Sequence, residues 1–204
     1  MHSNITTTTT TTTDFLTPFT QEVDSINYQW VALETLSDLF CVLLALYVGL
    51  PGLRKIWPYH EGYAGAKKGF IWLAARWGVG DYPHLFRTMI GIVELTIFIG
   101  CFMCFLPGPT SQLITCLSLI AGMGLCIPFF ITHAGDPWRQ RIVPLRQFAQ
   151  AAVALGIRLH QDFDWTDQQA VALLYTGAGA VGLGMLYMIY RRARFGKLPD
   201  PLLG

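Results

Sequence analysis

Three acidic residues fall inside stretches apolar enough to enter a membrane. Glu34 and Asp38 lie one helical turn apart in segment 30–53, and Glu94 lies in segment 86–106. A charged side chain at mid-bilayer costs about 2.5–3.5 kcal/mol, so such groups face protein or water, or stay protonated. Three chemistries follow from that constraint. A buried acid can hydrogen-bond to hydroxyls or pair with Arg87 or Arg54 and so fix helix register. It can serve a proton path or contact a quinone headgroup. It can meet a partner subunit. Counting from the segment ends places Asp38 and Glu94 each about 12 Å deep from opposite sides. Across a ~30 Å core they lie within roughly 6 Å along the membrane normal, which predicts a shared polar pocket. If Glu94 is neutral and hydrogen-bonded there, Gln should replace it with little disturbance.

The other reactive types point to less. His84 opens the second apolar segment and His133 ends the third, both at the same rim. A haem would want two axial ligands facing each other at matched depth, so these histidines read as interfacial hydrogen-bonding groups. The chain has 5 cysteines: Cys41, Cys101, Cys104, Cys116 and Cys126. Cys101 and Cys104 have redox or metal spacing. Within an apolar helix such a pair reads as packing. No flavin, haem or iron–sulfur motif is present, so no cofactor and no metal are expected, and no catalytic set is assigned.

The elements that carry these residues are membrane spans. Mean hydropathy is +0.41, with 52% hydrophobic and 13% charged residues, which describes an integral membrane protein. The apolar segments are 30–53, 86–106, 111–132, 142–159 and 170–190. The segment at 142–159 is the weakest, carrying Pro144, Arg146, Gln147, Gln150 and Arg158. Its alternative is an interfacial helix. All Lys and Arg but Arg158 group into three stretches: Arg54 to Arg87, Arg139 to Arg146, and Arg191 to Lys197. The positive-inside bias then predicts five spans, amino terminus outside and carboxyl terminus inside. Net charge is +1, so nothing in it suggests a nucleic-acid partner, and none is expected.

Residues 1–29 read as a polar outer tail with a threonine run at 6–13 and no Lys or Arg. They lack the basic start and apolar core of a signal peptide. Asn4-Ile5-Thr6 is a glycosylation sequon, usable if the chain enters the secretory pathway. Residues 54–85 mix Trp57, Lys67, Lys68, Trp72, Arg76 and Trp77, a composition suited to the headgroup layer, with a short interfacial helix over 67–77. Anchoring explains it; an anionic-lipid or docking site is the alternative. Leu106-Pro107-Gly108-Pro109 is a tight outer turn, and Pro128 should kink the third span. Residues 161–167 form an acidic outer loop. In the last span Gly177, Ala178, Ala180, Gly182 and Gly184 include two small-xxx-small pairs, which suit close helix packing inside the bundle or against another chain.

Several motifs occur together. Gly49-Leu50-Pro51-Gly52-Leu53-Arg54-Lys55-Ile56 resembles the end of the first helix in DoxX-like membrane proteins. Arg87-Thr88-Met89-Ile90-Gly91-Ile92-Val93-Glu94-Leu95 resembles their second helix, with a basic residue, a glycine and a buried glutamate. The Pro107-Gly108 turn and Thr132-His133-Ala134-Gly135-Asp136-Pro137 are similar to later landmarks. The resemblance covers about residues 40–159 and implies a four-helix bundle. The fifth span and the threonine-bearing tail are departures. Members of that family include subunits of thiosulfate:quinone oxidoreductases, associates of oxidases and receptor chaperones, so it transfers no catalytic set. Glu94 and Gly135-Asp136-Pro137 read as architectural, the latter supplying a helix end, a cap and a proline that starts the next segment.

The resulting expectation is an all-α polytopic membrane protein with three regions: tail 1–29, a DoxX-like domain 30–159, and 160–204 with the fifth span and basic end. Its expected role is a non-enzymatic accessory subunit of a respiratory-type complex in a mitochondrial inner membrane. The expected partners are other membrane subunits and lipids, with quinone contact as a weaker possibility. The alternatives are a chaperone of the endoplasmic reticulum for receptors and a membrane subunit of a quinone-linked oxidoreductase.

Overall fold

A computed structural model describes residues 17–132 and 138–196, and these contain helices and turns but no strand. Four helical stretches are long and apolar enough to cross a membrane: Tyr28–Ile56, Pro83–Phe105, Pro109–Ile131 and Gln168–Phe195. The chain has the architecture of a multi-pass membrane protein.

The first stretch is built from α1 (Thr17–Leu44), a π-helical turn (Ala45–Gly49) and α2 (Gly52–Ile56). Pro51 explains the wide turn. Its ring would collide with the carbonyl four residues back, and the preceding turn relaxes to a five-residue repeat, with the Leu50 N–H bonded to the Ala45 carbonyl at 2.7 Å. α1 begins at Thr17, so residues 17–29, expected as tail, extend the helix beyond its apolar part. The threonine run, Asn4, His133, Gly135, Asp136, Pro137 and Lys197 lie outside the described residues.

α3 (Tyr63–Arg76) is amphipathic. Phe70, Leu73 and Trp77 are buried along one side against Phe86, Ile90, Phe129 and Met188, while Lys67 and Lys68 are exposed. Trp72 is half-buried with the Arg76 guanidinium 5.1 Å from its ring, and Trp57 is exposed. Trp77 departs from the expectation of a headgroup anchor. At 2% exposure it is a core residue, because the turn after α3 folds it against α7.

α4 (Pro83–Phe102) starts on proline at its first position, where the missing N–H has no helical partner to lose. Residues 103–105 close it as a 3-10 turn. Gly108, at φ +119°, then reverses the chain into α5 (Pro109–Thr132), as the Leu106–Pro109 pattern predicts. α5 continues helically through Pro128.

α6 (Trp138–Gln161) has 24 residues, about 36 Å at 1.5 Å per residue, which exceeds a bilayer core. Its polar composition keeps it out of the four apolar stretches. It nevertheless packs along α5 and α1. The principal core draws on α1, α4, α5 and α6 together: Cys41, Leu44, Ile97, Cys101, Leu119, Ala151 and Ala154. Small residues let these helices approach, as where Gly122 meets Leu44 and Gly100 meets Ser118.

α7 (Gln168–Phe195) stands to one side and packs chiefly on α5. Asp167 caps it, accepting from the backbone N–H groups of Gln169 (2.9 Å) and Ala170 (3.2 Å). Asp167→Ala is expected to lower stability by about 1 kcal/mol and Asp167→Asn by much less. Thermal unfolding of the detergent-solubilised chain checks both. In the same loop, hydrogen bonds from the Thr166 hydroxyl and backbone N–H hold the Asp164 carboxyl below its usual range.

Candidate functional site

The intramembrane acids do not share a pocket. Roughly 25 Å of helix at ~1.5 Å per residue separates Asp38 from Lys55, and Glu94 pairs with Lys55. The counts from opposite ends assumed a ~30 Å crossing, whereas the first helical stretch, Tyr28–Ile56, has 29 residues and runs about 43 Å, carrying Lys55 alongside α4. Two buried ionic clusters result, one near each end of the bundle.

The first cluster is built on a close helix crossing. A side chain at Gly49 would meet the Phe98 backbone at 2.7 Å, and one at Gly52 would meet the Gly91 carbonyl at 2.6 Å. One at Gly91 would in turn meet Ile56 at 2.7 Å. These glycines therefore lie in the contact between the π turn, α2 and α4, and the contact delivers the Lys55 ammonium to both carboxylate oxygens of Glu94. Lys55 also lies 5.6 Å from the Phe70 ring of α3. Arg87, one expected partner of Glu94, instead donates to the Tyr63 hydroxyl at 2.7 Å and stacks on that ring. It latches α3 to α4.

A cavity of about 260 Å³ opens beside the pair, walled by Tyr47, Pro51, Cys126, Phe129, Pro144 and Gln147 among others. Its polar lining can hydrogen-bond a small carbonyl or hydroxyl compound, or water. Gly52→Val would drive a branched side chain into the Gly91 carbonyl. We expect a loss of about 1–3 kcal/mol on unfolding, the cost of overpacking. Gly65→Ala, where a side chain meets open space, is the control.

The second cluster centres on Arg158, which is 2% exposed. Its Nε donates to the Ser37 hydroxyl (3.0 Å), its Nη1 to Gln112 Oε1 (3.0 Å) and Asp162 Oδ2 (2.9 Å), and its Nη2 to Asp38. One guanidinium thus ties α1, α5, α6 and the following loop together. The planar fork makes this possible, since its donors point in several fixed directions. The sequence marks Arg158 as a polar residue of the weak 142–159 segment and as the exception to the charge grouping, without a partner. The signal that marked it was that isolation: a lone cation at the acid-rich end, beside a segment carrying Asp38.

Glu34, expected with Asp38 on a buried face, is exposed on α1, since no neighbouring helix covers that turn. His84 is exposed as well. At the opposite end of the bundle Trp30 stacks on His160, ring centroids 5.7 Å apart, and fastens α1 to the end of α6. All five cysteines are buried free thiols. Among the described residues no group of three or more His, Cys, Asp or Glu is placed to hold a metal ion.

The small residues of α7 divide. Gly177 packs on Leu117, so it serves the bundle. Ala178, Ala180 and Gly184 are exposed, and side chains added at Gly182 or Gly184 would meet nothing within 4 Å. Both small-xxx-small pairs are therefore left uncovered by the chain's own helices.

Basic residues gather at one end. Arg54, Lys55 and Arg87 lie near α3, and Arg191 donates to the Gly78 carbonyl, joining the end of α7 to the turn after α3. The opposite end holds Asp162, Asp164 and Asp167, with Arg158 engaged by its acids. No protein-family model, curated protein or solved structure matches the chain.

Proposed function

We propose that this chain is a non-enzymatic accessory subunit of a larger membrane complex. The observation that carries this reading is the uncovered Ala178/Gly182 pair of α7, which allows close approach of another transmembrane helix. The ionic clusters favour it too: both tie helices of the chain together, and their charged groups are occupied with one another.

In this reading α1, α4, α5 and α6 form a DoxX-like four-helix bundle and α7 is the added fifth span. Two points support that division. The shared core comes from those four helices, and the glycine motif of the first pair of landmarks meets the Gly91-x-x-Glu94 motif in one contact. α6 crosses the bilayer despite its polar residues, because Arg158 and Gln147 are buried against neighbouring helices. The basic end faces inward and the amino terminus outward, following the positive-inside bias. A respiratory-type assembly of the mitochondrial inner membrane is the proposed host.

The test is a mild-detergent pull-down of the tagged chain, resolved on a native gel and quantified by mass spectrometry. A stable large complex containing the chain at fixed stoichiometry is the expected result. A free bundle would sink the subunit reading, and trace association with immature receptors in the endoplasmic reticulum would replace it with a chaperone. A second reading rests on the cavity beside Lys55 and Glu94, whose mainly apolar walls, with Lys55, Glu94 and Gln147 among them, suit a quinone headgroup. It predicts quinone copurifying with the chain and lost on Gln147→Leu.

A further inference from the structure

α4 and α7 both pack on α5, and the space between them is open. It forms a cavity of about 620 Å³, within the ~300–1,000 Å³ range of small-molecule sites. Its walls are apolar: Met89 and Ile90 from α4, Phe129 from α5, Val181 and Gly184 from α7, and Trp77 closing one end. Leu85, Met89 and Tyr187 at its margin are exposed, so it opens sideways where the bilayer would lie. From Leu85 to Val93 it follows about 12 Å of helix, less than half of a ~30 Å hydrocarbon core.

The closed end is strongly basic. Arg191 reaches the Gly78 carbonyl, in the turn between Trp77 and Val79, two residues that line the cavity. Arg192 stacks on Trp77 at 5.5 Å, and Arg76 is within electrostatic reach of Arg192. The Nε of Arg191 and Nη1 of Arg192 are buried without a hydrogen-bond partner. No described carboxylate pairs with either arginine, and Asp81, in the same turn region, is exposed. Three neighbouring cations, Arg76, Arg191 and Arg192, with no described carboxylate among them favour an anion at this place.

We propose that this groove holds one anionic phospholipid, with an acyl chain between α4 and α7 and its phosphate on Arg191 and Arg192. Each half of the site asks for one half of the ligand. The apolar walls exclude a free inorganic anion from most of the cavity, and the arginines favour a net negative headgroup over a zwitterionic one. A protein helix is a poorer occupant, since the groove ends against Trp77 beneath the arginines. The seat also joins the end of α7 to α3, so a bound lipid would brace α7, which lies outside the principal core.

Native mass spectrometry of the full chain tests this, with phosphatidylglycerol and phosphatidylcholine of identical acyl chains supplied in turn. One phosphatidylglycerol should be retained per chain, and phosphatidylcholine only at background. Arg191→Gln with Arg192→Gln should weaken retention roughly 25-fold, as each cation near a membrane surface contributes a factor of about 5. Gly184→Phe, which fills the groove and leaves the charges, should abolish it. Gly184→Leu serves if the larger variant fails to fold, which gel filtration and circular dichroism report. Equal retention of the two lipids would overturn the proposal. So would undiminished phosphatidylglycerol on a folded groove-filling variant, which would mark surface adhesion instead of a seat.

Discussion

Arg158→Gln is expected to destabilise the bundle by about 3 kcal/mol, the lower part of the range for breaking a buried pair. The lower part applies because the Asp38 side chain retains 29% exposure and is partly solvated when abandoned. The loss comes from several places at once. Ser37 and Gln112 lose a charged donor, and α1 loses its guanidinium links to α6 while keeping the bond from the Ser37 hydroxyl to the Ala154 carbonyl (3.4 Å). Arg158→Lys should recover only part, since an ammonium cannot reach α1, α5 and the following loop in the directions the planar fork does. Asp38→Asn combined with Arg158→Gln should cost less than the sum of the single changes, with coupling of about 1–3 kcal/mol. Unfolding in mixed micelles of increasing denaturing detergent measures each variant. A single Arg158→Gln variant as stable as the parent would show that the network is ornamental.

Glu94→Gln is expected to cost about 3–5 kcal/mol, against the small effect anticipated for an isolated neutral acid. The difference lies in Lys55. Its side chain is 11% exposed and that of Glu94 is 4%, so removing the carboxylate leaves a buried ammonium facing an amide and an aromatic ring. Lys55→Met combined with Glu94→Leu removes both charges at similar volume, and replacements of that kind are often neutral or stabilising. The double variant should therefore fold close to the parent and enter the proposed host complex normally. If it assembles but a proton-coupled activity of that complex disappears, the structural reading of Glu94 fails. The pair would then take part in chemistry through the adjoining cavity.

Much of the architecture was legible in the residues. The Leu106–Pro109 turn could be placed because Gly108 and the flanking prolines leave few other backbone paths. The amphipathic helix before α4 was visible in the alternation of aromatic and basic residues, although its start at Tyr63 and the burial of Trp77 were not. Burial depends on a turn at Gly78, whose φ of +68° folds the chain back onto α7. That is a contact between residues over a hundred positions apart, and composition carries no trace of it.

Residue order alone shows which stretches are apolar enough for a membrane, where the chain must reverse, and that cations collect apart from most acids. Those properties are local, set by side-chain solvation and by proline and glycine geometry. The tertiary structure alone decided the partners: Lys55 for Glu94, Tyr63 for Arg87, Arg158 for Asp38, and open space for most of the small residues on α7. Each choice depends on how one helix is rotated and shifted against another. Glycine contacts and small core residues set that geometry, and it appears only once the helices are packed.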